Sequence, residues 1–293
     1  MATKGNLIHS IISTLKRSRA GSYGTRFHRK QRLTMVANEL LGRGYKLQHI
    51  RELKLKHVHF LVEKWKVEGK SAGTIKNRMT DLRVIMEFVG KPSLVPKSND
   101  YFNIPKRQYV TNEDKSRGIS AGDLSKITDE NLKISLLLQK AFGLRRCESI
   151  KIRINQALFG DELRLKGSWC KNGKPRTIKI QTSEQWEALD KAQVFVGEGQ
   201  RALIPDNKQY KAQLIVYQNQ TQAAGLNKLH GLRHAYAQNR YRALTGWDCP
   251  AKGGPTRSQF TVEQKALDKS ARLILSVMLG HERLSVVAIY CGV

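Results

Sequence analysis

The sequence predicts a mainly helical protein in two parts, the second containing a small antiparallel β-sheet (α+β), and three observations carry that prediction. Apolar residues recur at helical spacing along most of the 293 residues, so most segments have one face to bury. A single pair of segments alternates instead, Leu163/Leu165 and Ile178/Ile180, with the turn dipeptide Asn172-Gly173 between them. A polar stretch from Gly90 to about Gly118 holds Pro92, Pro96 and Pro105, and proline disfavours helix for itself and its predecessor.

The elements follow in order. Residues 1–30 are basic and read as a short helix, then a break at Gly21-Ser22-Tyr23-Gly24. Leu33, Val36, Ala37, Leu40 and Leu41 form a helical stripe ended by Gly42 and Gly44. Val58, Leu61, Val62 and Trp65 form a second, ended by Gly69; Ser71 can cap a third carrying Ile75, Met79, Leu82 and Met86. The resulting division is a helical part at 1–108, a linker at 109–118 and a second part at 119–293. In the second part Ser120 caps a helix near Asp123-Leu124, and Ile134, Leu137, Leu138 and Ala141 share a face leading to Gly143. A β-hairpin, with a tight or wider loop, spans 163–180. Helices follow at Ser183–Phe195, Tyr210–Ala224 and His230–Leu244, and Gly246, Pro250, Gly253-Gly254 and Pro255 mark a loop.

Charge narrows the partner. Lys+Arg 52 against Asp+Glu 24 gives a net charge of +28, which suits a polyanion. The excess is +16 over residues 1–110 and +12 beyond, so both parts are basic and neither charge is confined to a tail. The bland alternative is a surface that is basic only for solubility. Cys147, Cys170, Cys249 and Cys291 are widely spaced, which disfavours a zinc site or disulfide framework and fits reduced thiols. Leu7–Ile12 is too short and polar for a signal peptide, and no apolar run reaches bilayer length. A cytoplasmic protein without a membrane partner is the expectation.

Four short motifs hold chemistry-bearing residues, and each has a plain reading when taken alone. Gly143-Leu144-Arg145-Arg146-Cys147-Glu148 could be a helix end with an i,i+3 surface ion pair. His230-Gly231-Leu232-Arg233-His234 places His and Arg one turn apart, a spacing that chance also supplies. Leu279-Gly280-His281, with Tyr290 nine residues later, could be a helix cap and a core aromatic. Lys171-Asn172-Gly173-Lys174-Pro175-Arg176 could be an exposed basic turn.

Taken together, and in the chain order Arg145, Lys171, His230-x-x-Arg233, His281, Tyr290, the four motifs resemble the catalytic set of the tyrosine recombinases, the phage-integrase family, in the form found on bacterial mobile elements. The resemblance covers about 118 to 291 by motif and 1–110 by architecture. It implies a helical SAM-like core-binding, DNA-binding domain followed by a tyrosine-recombinase catalytic domain. Arg145 and Arg233 would clamp the phosphate, with Glu148 supporting Arg145. His230 would serve as acid/base, His281 as a hydrogen-bond donor to the phosphate, and Tyr290 as nucleophile. Lys171 would protonate the leaving 5′ oxygen, with Lys174 and Arg176 as DNA-phosphate contacts. An Arg fork suits the clamp because it meets phosphate oxygens with fixed charge and geometry.

The resemblance further implies site-specific strand exchange through a 3′-phosphotyrosyl intermediate and a Holliday junction. Its partners would be double-stranded DNA sites, a homotetramer on DNA, and accessory DNA-bending or directionality proteins, within a bacterial nucleoid. No metal or other cofactor is implied, because the cations stabilise the charge and phosphotyrosine conserves the bond energy. A type IB topoisomerase-like or resolving enzyme shares the chemistry; a non-catalytic DNA-binding protein shares the fold but has no need of Tyr290 or His281. Two departures stand out: Cys170 occupies a common glycine position, and three residues follow Tyr290. With so short a tail, attack in cis is expected.

Overall fold

A computed structural model describes residues 4–198, 201–281 and 283–293. The chain divides into two compact units, Met1–Gln108 and Tyr109–Val293.

The first unit is built on four helices: α1 (Lys4–Lys16), α2 (Tyr23–Gly42), α3 (Leu55–Val67) and α4 (Ala72–Phe88). Its core is the set of apolar stripes legible in the sequence: Leu33, Val36, Ala37 and Leu40 from α2, Val58, Leu61, Val62 and Trp65 from α3, Ile75, Met79, Leu82 and Met86 from α4. Leu7 and Ile11 of α1 join them. The break expected at 21–24 is shorter than that, because Ser22 accepts a hydrogen bond from the Thr25 amide and starts α2 at Tyr23. Ser71 caps α4 in the same way through Thr74. Asp81 is buried between Arg29 and Arg32, so its charge is neutralised inside the bundle.

The second unit begins with α5 (Ala121–Ser125), α6 (Glu130–Phe142), α7 (Arg146–Lys151) and α8 (Ile154–Ala157). A three-stranded antiparallel sheet follows in the order β1 (Leu158–Phe159), β2 (Glu162–Leu165), β3 (Arg176–Lys179). Then come α9 (Ser183–Val196), α10 (Tyr210–Ala223), α11 (Gly231–Thr245), α12 (Val262–Met278) and α13 (Leu284–Cys291). The sheet pairs Leu163 with Ile178 and Leu165 with Arg176. Its hairpin therefore closes through the wider loop 166–175, and Asn172-Gly173 sits in a 3-10 turn within it. Strand parity sends Leu163, Leu165 and Ile178 inward and leaves Arg164, Thr177 and Lys179 outside.

Helix α6 is central, packed by α7, α9 and α11, and α11 in turn packs against α12 and α13. Leu138, Phe142, Leu163, Leu165, Ile178, Leu189, Tyr241, Leu275, Leu279 and Val287 belong to one continuous core, so the sheet and the last helices share a single packed interior. Among the described residues no helix is long and apolar enough to cross a membrane.

Candidate active site

Helix α6 ends at Gly143, whose φ of 59° and close approach to Tyr236 exclude a side chain: a Cβ there would lie 2.5 Å from the Tyr236 ring. The chain turns, buries Leu144 and restarts at α7 with Arg145 as its first flanking residue. Glu148 closes that turn, its Oε2 accepting the Arg145 amide at 2.8 Å and its Oε1 the Arg145 Nη1 at 2.6 Å. The Gly-Leu-Arg-x-x-Glu spacing is thus a local folding unit that presents a guanidinium and grips it from beneath.

Glu148 is fully buried and meets a second arginine. Arg176 donates from Nη1 to Oε1 at 3.0 Å and from Nη2 to Oε2 at 2.7 Å, and its Nε donates to the Met278 carbonyl at 3.1 Å. Burial alone would raise the carboxyl pKa; Arg176 first and then Arg145 reverse this and hold it at about 2. The sequence reading made Arg176 a DNA-phosphate contact. The structure corrects its location: it lies inside the domain on the same face of β3 as Ile178, and its fork is taken by Glu148. Lys174 and Lys171 are both exposed on the 166–175 loop, and Lys171 is near enough for its charge to act on His230.

His230 and Arg233 come from the start of α11, with His230 as the flanking residue and Arg233 inside the first turn. Arg233 is 1% exposed. Its Nη1 donates to the Gly143 carbonyl at 2.6 Å, Nη2 to the Leu279 carbonyl and to His281 Nε2, and Nε to Tyr290 Oη at 3.3 Å. One arginine therefore ties the ends of α6 and α12 to the tyrosine of α13. Burial brings its pKa down to about 10, so it stays cationic at neutral pH.

Gly280, with φ 63°, ends the turn after α12. His281 is then fixed by its amide, which donates to the Ser276 carbonyl at 2.8 Å, and by its carbonyl, which accepts from Ser276 Oγ at 2.9 Å. Tyr290 is 5% exposed on α13, where Val287 and Ala288 are buried and Val286 and Ile289 partly so. Its ring is surrounded by three imidazoles, with centroids 4.7 Å (His234), 5.7 Å (His281) and 6.1 Å (His230) away. Burial, and then the nearby arginines, depress the pKa of His281 to about 4. His230 keeps an exposed edge, but burial of its inner side, then Arg233 and Arg145, also lower its pKa. Both rings are neutral at pH 7, one able to accept a proton and the other to share a hydrogen bond.

All six residues singled out as catalytic thus lie in this unit. Arg145, His230, Arg233, His281 and Tyr290 gather about one point, and Lys171 stands on the loop beside them. Three guanidiniums against one carboxylate leave that point electropositive. Among the described residues no group of three or more His, Cys, Asp or Glu side chains is arranged to hold a metal. Two residues went unassigned in the sequence. His234 packs its ring against Tyr290 at a tilt of 53° and has an Nδ1 without a hydrogen-bond partner. Gln238, one turn further along α11, donates to the Tyr290 carbonyl at 3.1 Å. The i,i+4 spacing from His230 to His234 to Gln238 is the signal that places them on one face.

The comparisons with known proteins agree with this geometry in fold. The family model for the N-terminal part of phage integrases matches residues 7–95, and the integrase model matches residues 115–239. The second range includes Arg145, Lys171, His230 and Arg233 and stops before His281 and Tyr290. No curated protein matches the chain. Among solved structures, the chain resembles a lambda integrase dimer bound to a COC′ core site, with a TM-score of 0.59 and 15% identity over 96% of this chain and 94% of that one. It resembles the XerH site-specific recombinase on difH substrate before cleavage, at 0.53 and 13% over 98% and 92%. It also resembles the Tn1549 transposon integrase in complex with transposon right end DNA, at 0.52 and 12% over 97% and 93%. At these identities the likeness is one of fold.

Proposed function

The chain belongs to the tyrosine recombinase family, the phage integrases, and from that premise we propose that it breaks and rejoins double-stranded DNA at specific sites, with Tyr290 as nucleophile. The observation that carries this reading is the contact of Tyr290 Oη with Arg233 inside a ring of histidines, beside the Arg145–Glu148–Arg176 cluster.

In the proposed step a DNA phosphate binds between Arg145 and Arg233. Tyr290 Oη attacks the phosphorus and gives up its proton to neutral His230. The bond to the 5′ oxygen breaks, and that oxygen leaves as a hydroxyl with a proton from Lys171. The 3′ phosphate stays on the tyrosine, so rejoining needs only attack by a 5′ hydroxyl, from the same strand or from a partner duplex. His281 hydrogen-bonds the phosphate as its charge grows, and the arginines stabilise the transition state without rearranging. Electrostatic stabilisation of this kind suits transfer at phosphorus, where positioning and charge supply most of the acceleration.

The basic balance of both units supports a long duplex as substrate, with counterion release making binding steeply salt-dependent. Exchange between two sites calls for four protomers on DNA, with integration or excision of a mobile element as the outcome. A cytoplasmic, nucleoid-bound protein follows from that substrate.

The test is a covalent protein–DNA adduct on a nicked duplex, resolved on a denaturing gel. Footprinting of the DNA that flanks the gene supplies the candidate site. Wild-type protein should form the adduct and Tyr290→Phe should not; an adduct of equal yield from Tyr290→Phe would overturn the assignment. Relaxation of supercoiled DNA without strand exchange between two sites would move the reading to a topoisomerase.

A further inference from the structure

Residues 109–117, within the stretch 109–118 that the sequence marks as a linker, make contacts to α11 and to the chain just after Tyr290. Arg117 donates its amide to the Gly231 carbonyl at 3.1 Å, and the chain passes so close that a Cβ on Gly231 would meet Arg117 and the Lys115 carbonyl. Two side chains from this segment reach toward the chain around Tyr290, one directly at Val293 and one through Gln238. Asn112 accepts the Val293 amide on Oδ1 at 2.9 Å and donates from Nδ2 to the Val293 carbonyl at 3.3 Å. Asp114 Oδ1 accepts from Gln238 Nε2 at 3.0 Å, and the same nitrogen donates to the Tyr290 carbonyl at 3.1 Å.

The fit around these contacts is close. Gly292 has φ 77°, and a Cβ on it would lie 2.7 Å from Asn112 Oδ1 and 2.8 Å from the Ala251 amide nitrogen, so the segment and the chain after Tyr290 are matched to each other. Asn112 itself has φ 54°, a conformation that asparagine tolerates and most residues do not. Asp114 is shaped for its task by Ser116, whose amide and hydroxyl both donate to its carboxylate. From the other side, Arg272 donates to the Gly292 carbonyl at 2.8 Å.

We propose that residues 109–117 form a strap in which Asn112 and Asp114 act as positioning residues, holding the backbone from Tyr290 to Val293 so that Tyr290 Oη stays in line with Arg233. The inference rests on Tyr290 being the nucleophile. A hydroxyl displaced by about an ångström loses most of the advantage of prior alignment, whereas DNA affinity depends on the basic surface and is unaffected.

The test compares full-length wild type, Asn112→Gly, Asp114→Ala and Asp114→Asn. Glycine keeps the positive φ while removing both contacts to Val293, and asparagine keeps an acceptor for Gln238. The probe is a nicked duplex selected from a randomised pool by covalent trapping on the wild-type protein. Single-turnover adduct formation should fall ~10-fold in Asn112→Gly and Asp114→Ala, the scale of one or two lost hydrogen bonds. Equilibrium binding to the same duplex should be unchanged, and Asp114→Asn should recover most of the rate. Hydrogen exchange at 286–293 should speed up in the two slow variants. Adduct formation at the wild-type rate, or a rate loss matched by an equal loss of affinity, overturns the strap while leaving Tyr290 as nucleophile. Failure of the wild type to trap any duplex would instead sink the functional reading beneath it.

Discussion

Tyr290 Oη and Arg233 Nε meet at 3.3 Å within one chain, 57 residues apart in sequence. The proposed nucleophile is therefore packed against the proposed clamp of its own protomer, and the Tyr290 ring is nearly buried there. This geometry favours attack in cis. Mixing Tyr290→Phe with Arg145→Ala protein should leave adduct formation absent, since neither protomer then holds a complete site. Return of activity in the mixture would show that the tyrosine crosses to a neighbour. Tyr290→Phe alone removes one hydroxyl and should leave DNA affinity within a few-fold of wild type.

Arg176 and Lys174 are two residues apart but should behave as different kinds of residue. Arg176→Ala strips the bidentate partner from a fully buried carboxylate, and breaking such a pair costs about 3–5 kcal/mol. Its unfolding midpoint in urea should fall accordingly, and Arg176→Lys should not restore it, because an ammonium cannot match both Glu148 oxygens. Lys174→Ala should change stability by about 0.5 kcal/mol or less and act on salt-dependent DNA binding instead. An Arg176→Ala protein as stable as wild type would refute the buried role.

That contrast shows how much of the site was legible in the sequence. The positions of Arg145, His230, Arg233, His281 and Tyr290 could be read because each sits at a helix end marked by glycine or by helical spacing. The partner of Glu148 was harder, since it joins β3 to α7 across 28 residues and no local rule links them. Strand parity did hold the clue: residues 176, 178 and 180 share a face, and Ile178 and Ile180 are apolar. The basic run Lys171, Lys174 and Arg176 points the other way, toward an exposed turn. The strap at 109–117 was illegible for a different reason. Its polar residues, coming just after Pro105, describe a chain without helix, and nothing in them says what surface such a chain covers.

Stability should depend on pH through the imidazoles around Tyr290. Burial, then His230 and Lys115, holds His234 at about 4, against 6.5 for an exposed imidazole. The unfolded chain binds a proton between these values and the folded one does not, so stability is complete above about pH 6.5 and is lost as pH falls toward 4. His234 alone should make the protein about 2 kcal/mol less stable at pH 5 than at pH 7, with a smaller addition from the partly exposed His281. Glu148 adds a further loss between about pH 4.5 and 2, as its depressed carboxyl is protonated. Urea unfolding at pH 7 and pH 5 measures the first window. A free energy unchanged between the two would rule out neutral buried histidines at this site.

Lys171 provides the sharpest chemical test, because its loop sets it apart from the packed residues. It opens the 3-10 turn Lys171–Gly173 and is exposed, so its ammonium is carried to the site by the loop. Gly167 permits this shape: a Cβ there would lie 2.4 Å from the Gly173 carbonyl oxygen. If Lys171 protonates the leaving 5′ oxygen, Lys171→Ala should slow cleavage by ~10²–10⁴-fold, the usual worth of a general acid. A substrate with sulfur in place of that bridging 5′ oxygen leaves without protonation and should restore most of the rate. Lys174→Ala, on the same loop, should cleave the oxygen substrate at nearly the wild-type rate. Rescue by sulfur of Lys174→Ala, but not of Lys171→Ala, would transfer the acid to Lys174. Absence of rescue in both would mean that the loop lysines act on binding alone, with the proton supplied from elsewhere in the site.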